Sequence, residues 1–376
     1  MDPLAHTLFG ATMAEAGLKR KTALATATLI IGANIPDIDA LAMFVSEDYA
    51  LWFRRGWTHG ILALMIWPFL LTGIMIGIDR LIGMRMRRKN RMREGPQMRP
   101  LKLLGIAFLG VWSHPLLDLL NTYGVRLLMP FSGTWFYGDT LFIIDPWFWL
   151  LAGAGVVLAR SESWFGISGW ILLGTAVTAL ITTAEVVPFF LKGIWLIGLS
   201  AIIILRWSGR HRGATQPIAF TLLALLLFYI AFMIAGSKMT ASHARAQLNE
   251  DGADIKQVMA NPLPARALLR TGVAASDTHY FRFRMNWLRP ESFERIGDPI
   301  SIEAPDSIVE AALNSPDVRG FRNWMRFPAY EVEQLDDGWK VIVRDLRYVQ
   351  PDQEMAVGIG MTVVELDDEL VVRTVR

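Results

Sequence analysis

The sequence predicts a mainly α polytopic membrane bundle of about six to eight membrane helices, followed by a small β-rich (α+β) extramembrane domain. Three observations predict it. Apolar stretches at 61–82, 101–122, 143–159, 167–187, 189–205 and 217–236 are each about as long as a bilayer core requires, roughly 20 residues. The 376 residues are 53% hydrophobic and 19% charged, with a mean hydropathy of +0.34, too apolar for an ordinary soluble protein. Beyond residue 236 the pattern changes to the period-two alternation of half-buried strands. Charge divides the chain at the same place. Residues 1–236 hold 20 Lys and Arg against 13 Asp and Glu, whereas residues 237–376 hold 17 against 22. A simple soluble enzyme, a disordered chain and a protein embedded throughout are thereby excluded. The expected domains are a membrane domain over 1–236 and an extramembrane one over 237–376.

In chain order, an N-terminal helix over 3–17 and a second apolar helix over 22–34 come first. The first follows the acidic Asp2 with no basic segment before it, which does not read as a cleavable signal peptide. The second runs into Asn34-Ile35-Pro36-Asp37-Ile38-Asp39, which cannot sit in lipid without partners. Orientation follows from Lys and Arg. The loop 84–102 carries Arg85, Arg87, Arg88, Lys89, Arg91, Arg93, Arg99 and Lys102 against Glu94, and is expected on the cytoplasmic side. Arg160 lies two spans later and Arg206, Arg210 and Arg212 four spans later, on the same side, and Lys19-Arg20-Lys21 agrees. Segments 36–60 and 123–142, and everything after 236, then face the periplasm of a bacterial inner membrane. In the tail, strands are expected at 279–287, 329–335, 339–348, 356–366 and 369–375, and helices at 239–250 and 306–314. Asp336-Asp337-Gly338 is a hairpin turn signal, and Asp367-Asp368 turns the last hairpin.

There is no cysteine, so thiolate chemistry is excluded and any metal must be held by His, Asp, Glu or Asn. His6 lies on the first helix. Asp37 and Asp39 follow Pro36. His59 ends the run Arg54-Arg55-Gly56-Trp57-Thr58-His59 at the mouth of the next span. His114 and Asp118 lie within 101–122, where a spacing of four stacks them on one helix face, and Asn121 continues that face. Singly, each has a bland reading: a lone His in an apolar helix is more often a packing residue, and Asp37 beside Pro36 can cap or turn. Asp118 is different, because an intramembrane carboxylate costs about 3 kcal/mol and needs a partner or a cavity. Together, three His and three Asp come from four segments, most of which the loop charges place at one outer level; the side of His6 stays open. Imidazole plus carboxylate favours Zn²⁺, with Mn²⁺ or Fe²⁺ as alternatives. Asp-x-Asp can bridge two ions, and a pair roughly 3.5–4 Å apart suits phosphoester hydrolysis. Arg54 or Arg55 can hold a phosphate bidentately or simply snorkel to the interface.

The run His6-x-x-x-Gly10, Pro36-Asp37-x-Asp39, Arg55-Gly56-x-Thr58-His59, His114-x-x-x-Asp118 with Asn121-Thr122-Tyr123-Gly124 and Pro130-Phe131 resembles the YdjM/YbcI family. The resemblance covers about residues 1–210. It implies a polytopic inner-membrane protein with a His/Asp metal site and metal-dependent hydrolase activity. That family often has His-Arg-Gly before the Thr-His pair and Ser after it, where this chain has Arg54 and Gly60. A looser similarity, to zinc-dependent phospholipase C and related nucleases, is one of motif alone.

The remaining polar residues have plainer readings. Asp145 before Pro146 reads as a cap, Asp139 as a loop acid with a functional alternative, and Glu185 as interfacial. Trp135, Tyr137, Trp147 and Trp149 read as an aromatic belt. His211, His243 and His279 have no partner in sequence.

The functional expectation is a membrane-bound metal-dependent hydrolase acting on a phosphoester or other ester of an amphiphilic or lipid-linked substrate through a metal-activated water. His6, Asp37, Asp39, His59, His114 and Asp118 are the expected ligands of one or two divalent ions, zinc first. Asp39, Asp118 and Arg55 are expected to carry catalysis. The expected partners are the lipid bilayer and that substrate, with no nucleic acid, since topology already explains the basic run 85–102. The alternatives are a metal-ion or small-solute transporter, against which the one-sided polar cluster and the lack of a repeat argue, and a partner-binding protein with a structural metal.

Overall fold

The computed structural model describes residues 1–92, 95–289, 292–349 and 360–376. Arg93 and Glu94 of the basic loop, and residues 356–359 of an expected strand, lie outside the described residues. Through the first part of the chain the helices are α1 (Pro3–Glu15), α2 (Ala25–Gly32), α3 (Glu47–Phe53), α4 (Ile61–Arg88), α5 (Pro100–Leu119), α6 (Pro146–Arg160), α7 (Trp164–Thr183), α8 (Phe189–Trp207) and α9 (Thr215–Glu250). A 3-10 segment, Ile35–Phe44, follows α2 at a bend of 42°. Contacts divide the chain into two compact units. The first is Met1–Ile38, Arg55–Ile234 and Pro264–Arg266; the second is Asp39–Arg54, Ala235–Leu263 and Ala267–Arg376.

The first unit is a helical bundle. Among the described residues five helices (α4, α5, α7, α8, α9) are long and apolar enough to cross a membrane, six if α2 and the 3-10 segment count as one broken span. The 143–159 stretch forms α6, whose 15 residues span about 22 Å, less than the ~30 Å hydrocarbon core. The local signals are the expected ones. Asp2 caps α1 with Pro3 behind it, and Asp145 caps α6, accepting from the Phe148 amide at 2.9 Å. Arg85, Arg87 and Arg88 close the last turn of α4.

Half of the apolar window of α5 is buried, against 6% of that of α8. So α5 is the central helix, and side chains such as Phe165, Phe189, Ile197 and Phe228 are left facing outward, as lipid contact requires. Small residues let the central backbones touch. A Cβ on Gly32 would lie 3.1 Å from the Val111 nitrogen, one on Gly110 3.1 Å from the Leu29 carbonyl oxygen, and one on Gly10 2.8 Å from that same oxygen. Helix α1 runs alongside α6, tied by Asp2 to the Trp149 indole at 3.1 Å and by Glu15 to Arg160 at 2.6 Å. The 28 residues of α4 carry the chain about 42 Å from His59 to the basic turn, and α5 brings it back to Asp118. The His and Asp residues therefore sit at one end of the bundle and Arg85–Arg88, Arg99 and Arg160 at the other.

The second unit is α+β. It holds β1 (Gln257–Leu263), β2 (Arg266–Ala275), β3 (His279–Asn286), β4 (Phe293–Arg295), β5 (Ile300–Ser301), α10 (Ser307–Leu313), α11 (Arg319–Trp324), β6 (Pro328–Leu335), β7 (Gly338–Asp345), β8 (Met361–Leu366) and β9 (Val372–Val375). One sheet has the order β1-β2-β3-β4 with β5 on β3, and the other is β6-β7-β8-β9. Asp336-Asp337 turns the β6–β7 hairpin, pairing Leu335 with Gly338. Gly338 has φ +147, and a Cβ there would lie 2.0 Å from the Leu366 oxygen, so only glycine fits. Phe283 and Leu248 lie in one core cluster, and Tyr280, Phe327 and Leu346 in another. A fully buried ion pair joins Arg347 to Asp345 at 2.7 Å, with the guanidinium 4.3 Å over Trp324.

The expected helix 239–250 is the end of the 36-residue α9. Strands β1 and β2 were not expected: Pro262, Pro264 and an Ala/Leu-rich sequence obscure their alternation. A division at residue 236 also places 39–54 with the membrane domain, whereas contacts group it with the second unit. Asp48 accepts hydrogen bonds from the Gly320 and Phe321 amides, both at 2.8 Å, and Arg319 lies 4.9 Å over Trp52. A Cβ on Gly320 would fall 1.8 Å from the Asp48 carbonyl oxygen, so the contact requires glycine there.

Candidate metal centre

The centre starts from the one-turn spacing on α5, which stacks His114 over Asp118, both fully buried, with Nε2 3.6 Å from Oδ2. The glycine contact between α2 and α5 sets the Ala33 carbonyl oxygen 2.7 Å from His114 Nδ1. A carbonyl only accepts, so Nδ1 carries the proton and the neutral ring presents a lone pair at Nε2. His59 arrives from a tight turn. Arg55 takes the left-handed conformation (φ 52) and Gly60 leads into α4. A Cβ on Gly60 would lie 2.3 Å from the Met129 oxygen, which explains glycine where the resemblance led to Ser. Thr58 Oγ1 lies 2.9 Å from His59 Nδ1; when the hydroxyl accepts from Nδ1–H, the second lone pair is at Nε2.

The two Nε2 atoms face each other at 3.0 Å. Two lone pairs at that distance repel, so a proton or a cation must stand between them. Asp118 Oδ2 lies 3.4 Å from His59 Nε2, and Asp37 Oδ1 lies 3.6 Å from His114 Nε2. One ligand atom from each of Asp37, His59, His114 and Asp118 lies within 4.8 Å of all the others. Donors bonded to one ion at about 2.0–2.1 Å sit roughly 3.3 Å apart, so with small side-chain adjustments these four could hold a metal ion. Among the described residues this is the one such group.

The other expected ligands stand differently. The His6 ring stacks on His114 at 3.9 Å between centroids, its Nε2 is 3.2 Å from Asp118 Oδ1, and its Nδ1 is buried without a hydrogen bond. The start of α1 therefore lies at the His/Asp end of the bundle. The Met1 amino group contacts the same Asp118 oxygen. Asp39 lies 3.6 Å from Arg54 Nε, both within the second unit, and is not one of the four. Residues two apart on a 3-10 segment point about 240° apart, so Asp37 and Asp39 do not share a face.

Arg55 forks onto Asp118, with Nε 3.0 Å from Oδ2 and Nη2 3.1 Å from Oδ1, while Nη1 donates to Asn121 Oδ1 at 2.9 Å. Its guanidinium lies 4.5 Å over the Tyr123 ring. In this arrangement the guanidinium orients Asp118, and the carboxylate stands between it and the His pair. Asp145, read as a cap, also accepts from the Tyr229 hydroxyl at 2.8 Å. Two supports went unnoticed in the sequence. Thr58 sat inside a quoted motif and had a signal; the Ala33 carbonyl had none, because a backbone acceptor leaves no side-chain trace.

The model of the YdjM inner membrane protein family matches residues 1–187, a stretch that contains all four residues of the centre. A glycerol-3-phosphate acyltransferase of Synechococcus sp. (strain JA-3-3Ab) is 29% identical over 103 residues, 27% of this chain and 51% of the relative. The uncharacterized protein YfhP of Bacillus subtilis (strain 168) is 26% identical over 129 residues, 34% of this chain and 35% of that protein. The chain thus spans about half and about a third of the lengths of these curated relatives. No solved structure matches.

Proposed function

We propose that this chain, with its YdjM-family membrane unit, is a membrane-bound metal-dependent hydrolase that cleaves a phosphoester or other ester of an amphiphilic substrate. The observation that carries the reading is the 3.0 Å approach of the two imidazole Nε2 atoms, with the His114 proton turned outward to the Ala33 carbonyl. A bound divalent ion, with zinc first and Mn²⁺ or Fe²⁺ as alternatives, would supply a Lewis acid and lower the pKa of its water toward about 7.

The chain's own residues do the rest. Arg55 fixes Asp118, and Ala33 and Thr58 fix the two rings. Asp37, whose side chain is 17% exposed where those of the other three are fully buried, is the carboxylate best placed to exchange a proton with solvent. Of the expected ligands outside the group of four, His6 is assigned to the surroundings of the centre and Asp39 is given no role in it. The basic turns at the other end of the bundle support a periplasmic site and a periplasmic C-terminal domain under the positive-inside rule. The name of the Synechococcus relative, a glycerol-3-phosphate acyltransferase, supports a substrate that carries a phosphate.

The test is turnover in liposomes of a panel of glycerophospholipid and polyprenyl phosphate esters. Hydrolysis should vanish on chelation, return with Zn²⁺ or Mn²⁺, and be missing in His59→Ala. Stoichiometric metal with no hydrolysis of any ester, together with metal flux into sealed vesicles, would replace this reading with transport.

A further inference from the structure

We propose that the Asn121 carboxamide is a substrate-binding donor, its Nδ2–H group hydrogen-bonding a phosphoryl oxygen of the ligand at the metal centre. The inference rests on the hydrolase reading and deepens it. The orientation of the amide is fixed by its neighbours, since Oδ1 accepts from both Arg55 Nη1 and the Tyr123 amide, each at 2.9 Å. Flipping the group would set N–H against two donors. Nδ2 is thus the atom turned away from Arg55 and the Tyr123 amide, and it is buried with no hydrogen bond in a residue only 2% exposed. Native structures rarely leave such a donor unsatisfied.

Its place is one hydrogen bond from the guanidinium that holds Asp118. The Arg55 fork is engaged by Asp118 and Asn121, so an incoming anion needs another donor, and the amide offers a buried N–H next to that fork. The ligand chemistry is an oxyanion, borne either by a free phosphate or by a lipid phosphomonoester.

The experiment uses the full chain in detergent or nanodiscs, loaded with Zn²⁺, and measures inorganic phosphate binding by calorimetry and metal content by elemental analysis. Asn121→Asp keeps the acceptor for Arg55 and Tyr123 while removing the donor, and Asn121→Ala removes the donor without adding charge. Both should keep wild-type metal content and bind phosphate at least tenfold more weakly. Displacement of phosphate by phosphatidic acid, and not by phosphatidylcholine, would assign the lipid source; lack of displacement would assign free phosphate. Unchanged affinity in Asn121→Ala, loss of metal in both variants, or no phosphate binding by wild type would overturn the proposal. Asn121-dependent phosphate binding without ester cleavage would keep this subsite and remove the hydrolase reading. Unimpaired cleavage by both variants would do the reverse.

Discussion

Replacing Arg55 by Met separates two explanations of the buried cluster, because it strips Asp118 of its guanidinium while leaving the proposed ligands in place. The guanidinium makes two charged contacts with Asp118, at 3.0 and 3.1 Å, and both side chains are buried. Removing one partner of such a pair costs up to about 3–5 kcal/mol, because the buried carboxylate loses both contacts of the guanidinium and keeps the Met1 amino group and His6 beside it. For a unit of this size 1 kcal/mol shifts the melting temperature by roughly 2–4 °C, so the metal-stripped variant should melt up to roughly 6–20 °C below wild type. With saturating Zn²⁺ the ion compensates Asp118 instead, and the gap should shrink by at least half. Arg54→Met is the control. Arg54 is half-buried and makes a longer contact of 3.6 Å with the buried Asp39, so its loss should lower the melting temperature less than loss of the Arg55 fork. The assay is thermal unfolding of detergent-purified protein followed by tryptophan fluorescence, with chelator and with zinc. Equal melting of the two variants, or a gap that zinc leaves unchanged, would refute the reasoning.

Three further outcomes are expected. Gly110→Leu should force α2 from α5, draw the Ala33 carbonyl away from His114, and weaken zinc binding at least tenfold in competition with a chelating dye, although no ligand is altered; unchanged affinity would show that this hydrogen bond does not tune the site. Gly320→Ala should destabilise the C-terminal unit by about 1–3 kcal/mol in denaturant unfolding, because the added methyl collides with the Asp48 carbonyl; a neutral result would mean the 39–54 segment is not packed there. Burial pushes the Tyr280 phenol up from 10.0 to about 12, with Tyr330 and Asp345 adding to the shift. Its unfolded form ionises first, so its contribution to stability is complete below pH 10 and is lost as pH rises from about 10 to about 12. Absorbance at about 295 nm, the tyrosinate band, should show a late-titrating component that Tyr280→Phe removes; titration of every folded tyrosine near 10 would contradict this.

The centre was legible in sequence where spacing on a regular helix fixed geometry and where apolar context made charge conspicuous. His114 and Asp118 are one turn apart in a span, and Asp37 and His59 flank two other apolar helices. Asp39 looked equivalent to Asp37 because Asp-x-Asp suggests a shared role, but the 3-10 geometry of Ile35–Phe44 turns the two apart. Arg54 and Arg55 looked interchangeable as well, until the left-handed backbone at Arg55 sent their side chains to different carboxylates. The packing of 39–54 on α11 rests on contacts about 270 residues apart, for which a sequence carries no local sign. The expected strands 279–287 and 329–335 are β3 and β6 nearly to the residue, because alternation survives there; β1 and β2 carry proline and alanine instead.

Metal content tests the central claim most directly. Wild type and a His59→Ala, His114→Ala double variant would be purified in detergent without chelator, checked for a single monodisperse species, and analysed for bound elements. The account predicts at least one tightly held divalent ion per wild-type chain and none in the folded variant. A wild type without stoichiometric metal, or a variant that keeps it, would contradict the account.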